Sequence, residues 1–99
     1  MEHVDPTVVD RLRVLARDGC PVSDLLREIV RQLSPQALHP LTLAKYMRAA
    51  FGLSLLEVKP IGGWNWEGRS ELSDDQLNEL MMPSILAHRD WWLAGAGAI

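Results

Sequence analysis

The stretch VSDLLREIVRQL, residues 22–33, decides the fold class of this chain. Its apolar residues recur at the i, i+3, i+4, i+7 spacing of one helix face, and its charged residues occupy the opposite face. The apolar positions are Val22, Leu25, Leu26, Ile29, Val30 and Leu33. The pattern predicts an amphipathic α-helix with one buried face, preceded by a turn at Cys20–Pro21 and capped by Ser23.

Before this helix, a second apolar stripe runs through the first twenty residues. Asp5 precedes Pro6, which is typical of an N-cap followed by proline at the first helical position. The apolar residues after them fall on one face, and Gly19 is expected to end the helix. They are Val8, Val9, Leu12, Leu15 and Ala16. The first third of the chain is therefore predicted to be a helical hairpin.

After the hairpin, a helix is predicted over about residues 40–51, and Gly52 is expected to end it. This segment is apolar on most of its circumference, which is typical of a central helix. Ser54 and Glu57 then match the S-x-x-E capping box, and predict a short fourth helix over about 54–59.

A second capping box, Ser73 with Gln76, predicts the start of the last helix. Leu77, Leu80 and Met81 are expected to face inward, and Pro83 is expected to kink or split the helix. Trp91 and Trp92 are adjacent on its continuation, about 100° apart around the axis. One ring can therefore pack in the core, and the other must lie at its edge.

These segments predict an all-α chain. No run of four or more residues alternates apolar and polar side chains, so no sheet is expected. A chain of 99 residues can close only one hydrophobic core. We expect a single helical domain over 1–94 with five or six short helices, an irregular Gly/Trp loop at about 60–71, and a flexible tail over 95–99.

The charge distribution argues against general binding of nucleic acid. The formal net charge is −3, whereas such proteins present clustered Lys and Arg. Residues 1–50 carry seven basic and six acidic side chains, but residues 51–99 carry three and seven. Five basic residues lie in the first hairpin, so a ligand for that basic face stays an open alternative. They are Arg11, Arg13, Arg17, Arg27 and Arg31.

The single cysteine and the sequence at the N-terminus indicate a cellular compartment for the protein. Cys20 is the single cysteine, so no internal disulfide can form, and a reducing environment is expected. The sequence has no basic region followed by an apolar run at its start, and no stretch long and apolar enough for a membrane span. These features predict a cytoplasmic protein.

The residues that carry catalysis or bind metals are scattered. His3, His39, His88 and Cys20 occur singly, without the spacing that a zinc site needs. The sequence therefore predicts no metal, no cofactor and no enzymatic activity. A small enzyme that uses Cys20 or His88 stays an alternative, because Cys20 lies near a helix start, where a thiol can be activated.

The strongest candidate for a binding site is the tryptophan pair in the glycine-containing loop and the acidic rim beside it. Tryptophan side chains anchor many protein interfaces. The candidate partner-binding residues are Trp64, Trp66, Glu67, Glu71, Asp74, Asp75 and Glu79. A second interpretation stays open, in which one or both rings fold back as a lid over the third and fifth helices.

Two resemblances add expectations. Residues 45–59, KYMRAAFGLSLLEVK, resemble the helix-turn-helix in the C-terminal domain of the bacterial ribosomal stalk protein. In that family this surface recruits translation factors, and the resemblance would give that role to Lys45, Arg48 and Lys59. The family's β segments have no counterpart in this sequence, and Leu56 stands where that pattern has a basic residue.

The segment from Leu38 to Trp92 is similar in style to short bacterial proteins of the immunity and accessory type. The stretches that carry this resemblance are FGLSL (51–55), PIGGW (60–64) and LSDDQL (72–77). The resemblance implies a non-enzymatic protein that binds and neutralises a basic partner, in the manner of an antitoxin. A homo-oligomeric scaffold or homodimer, with Trp91 and Trp92 in the self-interface, is the alternative from another class.

Overall fold

A computed structural model describes residues 4–65, 67 and 71–94, and these form five α-helices with no strand among them. In chain order they are α1 (Pro6–Arg17), α2 (Val22–Gln32), α3 (Pro40–Phe51), α4 (Asp74–Ala87) and α5 (Arg89–Leu93). Two short 3₁₀ segments, Pro35–Ala37 and Lys59–Gly63, lie before and after α3. The all-α prediction is confirmed. The expected flexible tail, 95–99, lies outside the described residues.

Local capping explains where three of the helices begin. Asp5 accepts a hydrogen bond from the Thr7 amide at 2.9 Å, with Pro6 at the first helical position. The Ser73 hydroxyl accepts from the Gln76 amide, and the Gln76 side chain accepts from the Ser73 amide, which completes the predicted capping box. At α3 the side chain of His39 accepts from the Leu41 amide at 3.1 Å.

The start of α2 differs from its prediction. Ser23 is buried inside the helix and does not cap it. The Val22 amide instead donates to the Asn78 side-chain oxygen of α4, at 2.8 Å. This bond joins residues 56 positions apart, so a distant helix satisfies an amide that has no local partner.

The predicted fourth helix over 54–59 is wrong, although its capping box forms. Ser54 and Glu57 exchange both hydrogen bonds, at 2.9 and 3.1 Å. The chain then continues as a turn and enters the 3₁₀ segment at Lys59. Leu55 and Leu56 are exposed, so this turn has no buried apolar face that would sustain a helix.

The core lies between α3 and the helices around it. α3 contacts α1, α2, α5 and the Lys59–Gly63 segment, which confirms its central position, and α4 packs against α2. Leu12, Leu25, Leu43, Phe51 and Met81 are among the fully buried side chains. The amphipathic face of residues 22–33 therefore faces the interior, as its spacing predicts.

The last helix is interrupted at a different residue from the one expected. α4 runs through Pro83 and ends at Ala87, and α5 begins at Arg89 after His88. Trp92 is buried, and its indole N–H donates to the Ile85 carbonyl at 2.8 Å. Trp91 is 46% exposed. The expectation that the two adjacent rings separate into core and edge is confirmed.

Candidate functional site

Trp64 belongs to the core. Its side chain is 2% exposed, and its indole N–H donates to the Asp74 carboxylate at 2.9 Å. The Arg27 guanidinium lies over the ring, 5.4 Å from its centroid, and pairs with the other oxygen of Asp74 at 2.9 Å. Trp64 therefore folds back against the molecule, as the second interpretation expects, and its assigned contacts are with α2 and the start of α4. Trp66, the other predicted anchor, lies outside the described residues.

Asp74 has a structural role that the sequence alone did not indicate. The hydrogen bond from Trp64, and then the one from Arg27, lower the pKa of the Asp74 carboxyl. The carboxylate joins the segment that carries Trp64 to α2 and to the first turn of α4. The fold already uses the Trp64 ring and the Asp74 carboxylate, so we leave both out of the candidate acidic surface.

The other predicted acidic residues lie at the surface. Glu67 and Glu71 precede α4, and Asp75 and Glu79 lie on its first two turns; all four are exposed. Within the described part of the chain, none of the four carboxylates forms an ion pair. The acidic surface is thus reduced from the predicted set to these four residues.

The exposed side of α4 combines these acids with apolar residues. We define the α4 face as the seven exposed positions of this helix: Asp75, Gln76, Glu79, Leu80, Pro83, Leu86 and Ala87. Leu80 is 53% and Leu86 51% exposed. The expectation that Leu80 faces inward is wrong. The helix packs through Leu77, Met81 and Ile85, whose four-residue spacing could have shown that Leu80 and Leu86 lie off the buried stripe.

Three of the five basic residues of the hairpin contact other parts of the fold. Arg13 donates to the carbonyls of Ala50 and Ala49 at the end of α3, at 2.8 and 3.2 Å, and lies over the Trp91 ring at 5.5 Å. Arg27 holds Trp64 and Asp74, and Arg31 pairs with Glu28. Three of the five residues of the predicted basic face are therefore engaged in internal contacts, while Arg11 and Arg17 are exposed.

Glu28 is a buried carboxylate with partners from its own helix. It accepts from Gln32 at 2.6 Å and from Arg31. The Gln32 hydrogen bond and the neighbouring Arg31 lower the pKa of the Glu28 carboxyl against the opposing effect of burial. Glu28 and Arg31, with Asp24 and Arg27, line a shallow depression on α2. This side chain is satisfied and stabilises the helix surface.

His88 joins the helix interruption to the turn after α3. Its Nε2 lies 3.2 Å from the Glu57 carboxylate, which also accepts from the Ser54 amide. The Ser54 amide, and then His88, lower the pKa of the Glu57 carboxyl. Among the described residues, no group of three or more His, Cys, Asp and Glu side chains could hold a metal ion. Cys20 is half-buried against the core.

The residues singled out by the resemblance to the stalk protein have mixed surroundings. The Arg48 guanidinium donates to the Leu53 carbonyl at 3.0 Å, across Gly52 in left-handed conformation. Lys45 and Lys59 are exposed. The described part of the chain contains no helix long and apolar enough to cross a bilayer.

Comparisons of this chain with protein-family models, with curated proteins and with solved structures find no match. Any functional assignment therefore rests on the chemistry of the surfaces described above.

Proposed function

We propose that this chain is a non-enzymatic, cytoplasmic protein-binding module of the bacterial immunity or antitoxin type, which occludes a basic partner. The proposed acidic binding surface consists of Glu67, Glu71, Asp75 and Glu79. The supporting observation is that these four carboxylates are exposed and form no ion pair within the described part of the chain.

The contrast with the other charges supports the same proposal. Arg27, Arg31 and Asp74 each form an ion pair inside the molecule, whereas the four carboxylates of the acidic surface have no ion-pair partner among the described residues. Unpaired charge of one sign accelerates encounter with a partner of opposite charge and selects against partners of like charge. An inhibitor that works by occlusion needs such a surface and needs no catalytic group.

The test reverses the acidic surface and leaves the Trp64 contacts intact. The triple variant Glu71→Lys, Asp75→Lys, Glu79→Lys is compared as affinity bait with the wild-type chain in an extract of the source cells. A protein captured by both is then purified and titrated against each. We expect a basic partner that the variant binds at least tenfold more weakly, a loss of about 1.4 kcal/mol.

The matched control is Asp10→Lys, Asp18→Lys, which reverses two exposed carboxylates of the first hairpin. Circular dichroism checks that both variants keep the helical content of the wild-type chain. Equal loss of binding in the control and the test variant, or equal retention in both, would contradict a specific role of the acidic surface.

A homo-oligomeric scaffold is the second candidate, favoured by the exposure of Leu55, Leu56 and Trp91. Trp92 is buried within its own chain, so the self-interface predicted for Trp91 and Trp92 keeps only one of its two rings. The basic-partner proposal is therefore the better supported one.

A further inference from the structure

The C-terminal half of the α4 face is apolar and exposed. Leu80 and Leu86 are each about half exposed, at 53% and 51%, and Pro83 between them is exposed as well. On the same side of the helix, Glu79 directly precedes Leu80, and Asp75 lies about one and a half turns before it. The face is thus a strip about 16 Å long from Asp75 to Leu86, acidic at its start and apolar at its end.

A second copy of this chain does not complement the strip. In a parallel pairing, the carboxylates of Asp75 and Glu79 would lie beside their equivalents and repel them. In an antiparallel pairing centred on the strip, Asp75 would face Leu86 of the other copy, so a carboxylate would lose water against an apolar side chain. The charge pattern favours an occupant that brings positive charge to the Asp75 end of the strip.

The spacing of the apolar residues along the strip indicates that the positive charge belongs to a helix. Its exposed apolar residues, Leu80, Pro83, Leu86 and Ala87, recur at three- and four-residue intervals, which are the ridges that a second helix packs against. An amphipathic partner helix places apolar residues at the same intervals. If the partner helix lies antiparallel to α4, the cations that face Asp75 and Glu79 belong to the last turns of the partner helix. The helix dipole also favours cations there.

We infer that the α4 face is the docking site for an amphipathic basic helix of the partner protein. The helix lies antiparallel along α4, with Lys or Arg in its C-terminal turns opposite Asp75 and Glu79. Its apolar side chains cover Leu80 and Leu86. This inference rests on the proposed function, because it takes part of the proposed acidic surface as one half of the docking site.

The probe for this inference is a synthetic helical peptide of about 18 residues. It carries leucines at i, i+3, i+4 and i+7 in its N-terminal half and lysines in its C-terminal turns, and it is titrated by fluorescence anisotropy. A strip 16 Å long is smaller than a standard protein interface, so a dissociation constant on the order of 10–100 μM is expected.

Two variants separate the halves of the strip. Asp75→Lys, Glu79→Lys and Leu80→Ser, Leu86→Ser should each weaken binding of the peptide at least tenfold. Leu55→Ser, Leu56→Ser removes two leucines of the turn after α3 that are even more exposed, and it should leave binding unchanged. All of these side chains are exposed, so the variants should retain the circular dichroism spectrum of the wild-type chain.

The remaining outcomes decide against the inference in distinguishable ways. If the charge-reversed variant loses the peptide but Leu80→Ser, Leu86→Ser binds it as tightly as wild type, the helix-docking inference is overturned and the proposed function stands. A peptide with lysines only at its N-terminus that binds equally well would overturn helix docking in the same way. If neither pair affects the peptide, or no saturable binding occurs below about 1 mM, this docking site is rejected, while capture by the acidic surface still tests the proposed function separately.

Discussion

Two tryptophans of this chain make the same kind of contact and differ in burial. Arg27 lies 5.4 Å from the Trp64 ring centroid and Arg13 lies 5.5 Å from that of Trp91. Trp64 is 2% exposed, whereas Trp91 is 46% exposed. An arginine of the first hairpin holds each ring, but only the Trp64 ring is enclosed.

The difference lies in the groups around each ring. Trp64 donates its indole N–H to Asp74, which also pairs with Arg27, so ring, cation and carboxylate form one connected cluster. The Trp91 ring covers Gly52 at the end of α3, beneath the guanidinium of Arg13. A tryptophan beside acidic residues can therefore be a core residue whose neighbouring acid is its hydrogen-bond partner.

The largest effect should separate the two rings directly. Trp64→Ala removes an enclosed side chain and leaves a cavity, so we expect a loss of about 3–5 kcal/mol in the free energy of unfolding. Trp91→Ala removes a half-exposed ring and one cation–π contact, for which about 1 kcal/mol is expected. Urea denaturation of both variants measures the difference, and equal losses would contradict the assignment of Trp64 to the core.

A smaller effect is expected at the glycine under Trp91. Gly52 has a φ of +70°, and a Cβ there would lie 3.1 Å from the Trp91 ring. Gly19 has a φ of +86° with open space around it. Gly52→Ala should cost about 2 kcal/mol, and Gly19→Ala about 1 kcal/mol, since both meet backbone strain but only the first displaces a ring. Thermal unfolding compares the two, and a larger loss at Gly19 would show that Trp91 does not cover Gly52.

The smallest effect concerns the pH dependence of the Trp64 cluster. Folding lowers the pKa of Asp74, so its contribution is present above the unfolded pKa of about 3.9 and is lost as the pH falls through the folded value. The stability advantage of wild type over Asp74→Asn, under about 1 kcal/mol at this half-exposed site, should therefore shrink on acidification from pH 6. In a Trp64→Phe background that pH dependence should weaken; if it is unchanged there, the indole hydrogen bond is not its cause.

The sequence predicted the features that depend on neighbours along the chain. The cap at Asp5, the capping box at Ser73 and the end of α3 at Gly52 all form as expected. The box at Ser54 forms too, yet no helix follows it. A capping signal sets the geometry of one turn, and only burial of an apolar face extends that turn into a helix.

The features that sequence reasoning missed depend on distant parts of the chain. Asn78 caps α2, and Arg13 binds the carbonyls that end α3, and no local pattern indicates either pairing. The same holds for Asp74, which belongs to the predicted acidic cluster but bonds to Trp64 and Arg27. The prediction that Leu80 faces inward is wrong because a single leucine can lie at either edge of a helical stripe. The packing of α4 on α2 decides which edge is buried.

We infer that a basic partner binds the exposed side of α4. The most direct test is a chemical-shift map of the ¹⁵N-labelled chain during titration with the purified partner. We predict that the largest changes fall on the backbone amides of Asp75, Glu79, Leu80 and Leu86, with the Trp64 indole signal retained. Changes centred on Leu55, Leu56 and Trp91, with the α4 amides unmoved, would contradict the claim.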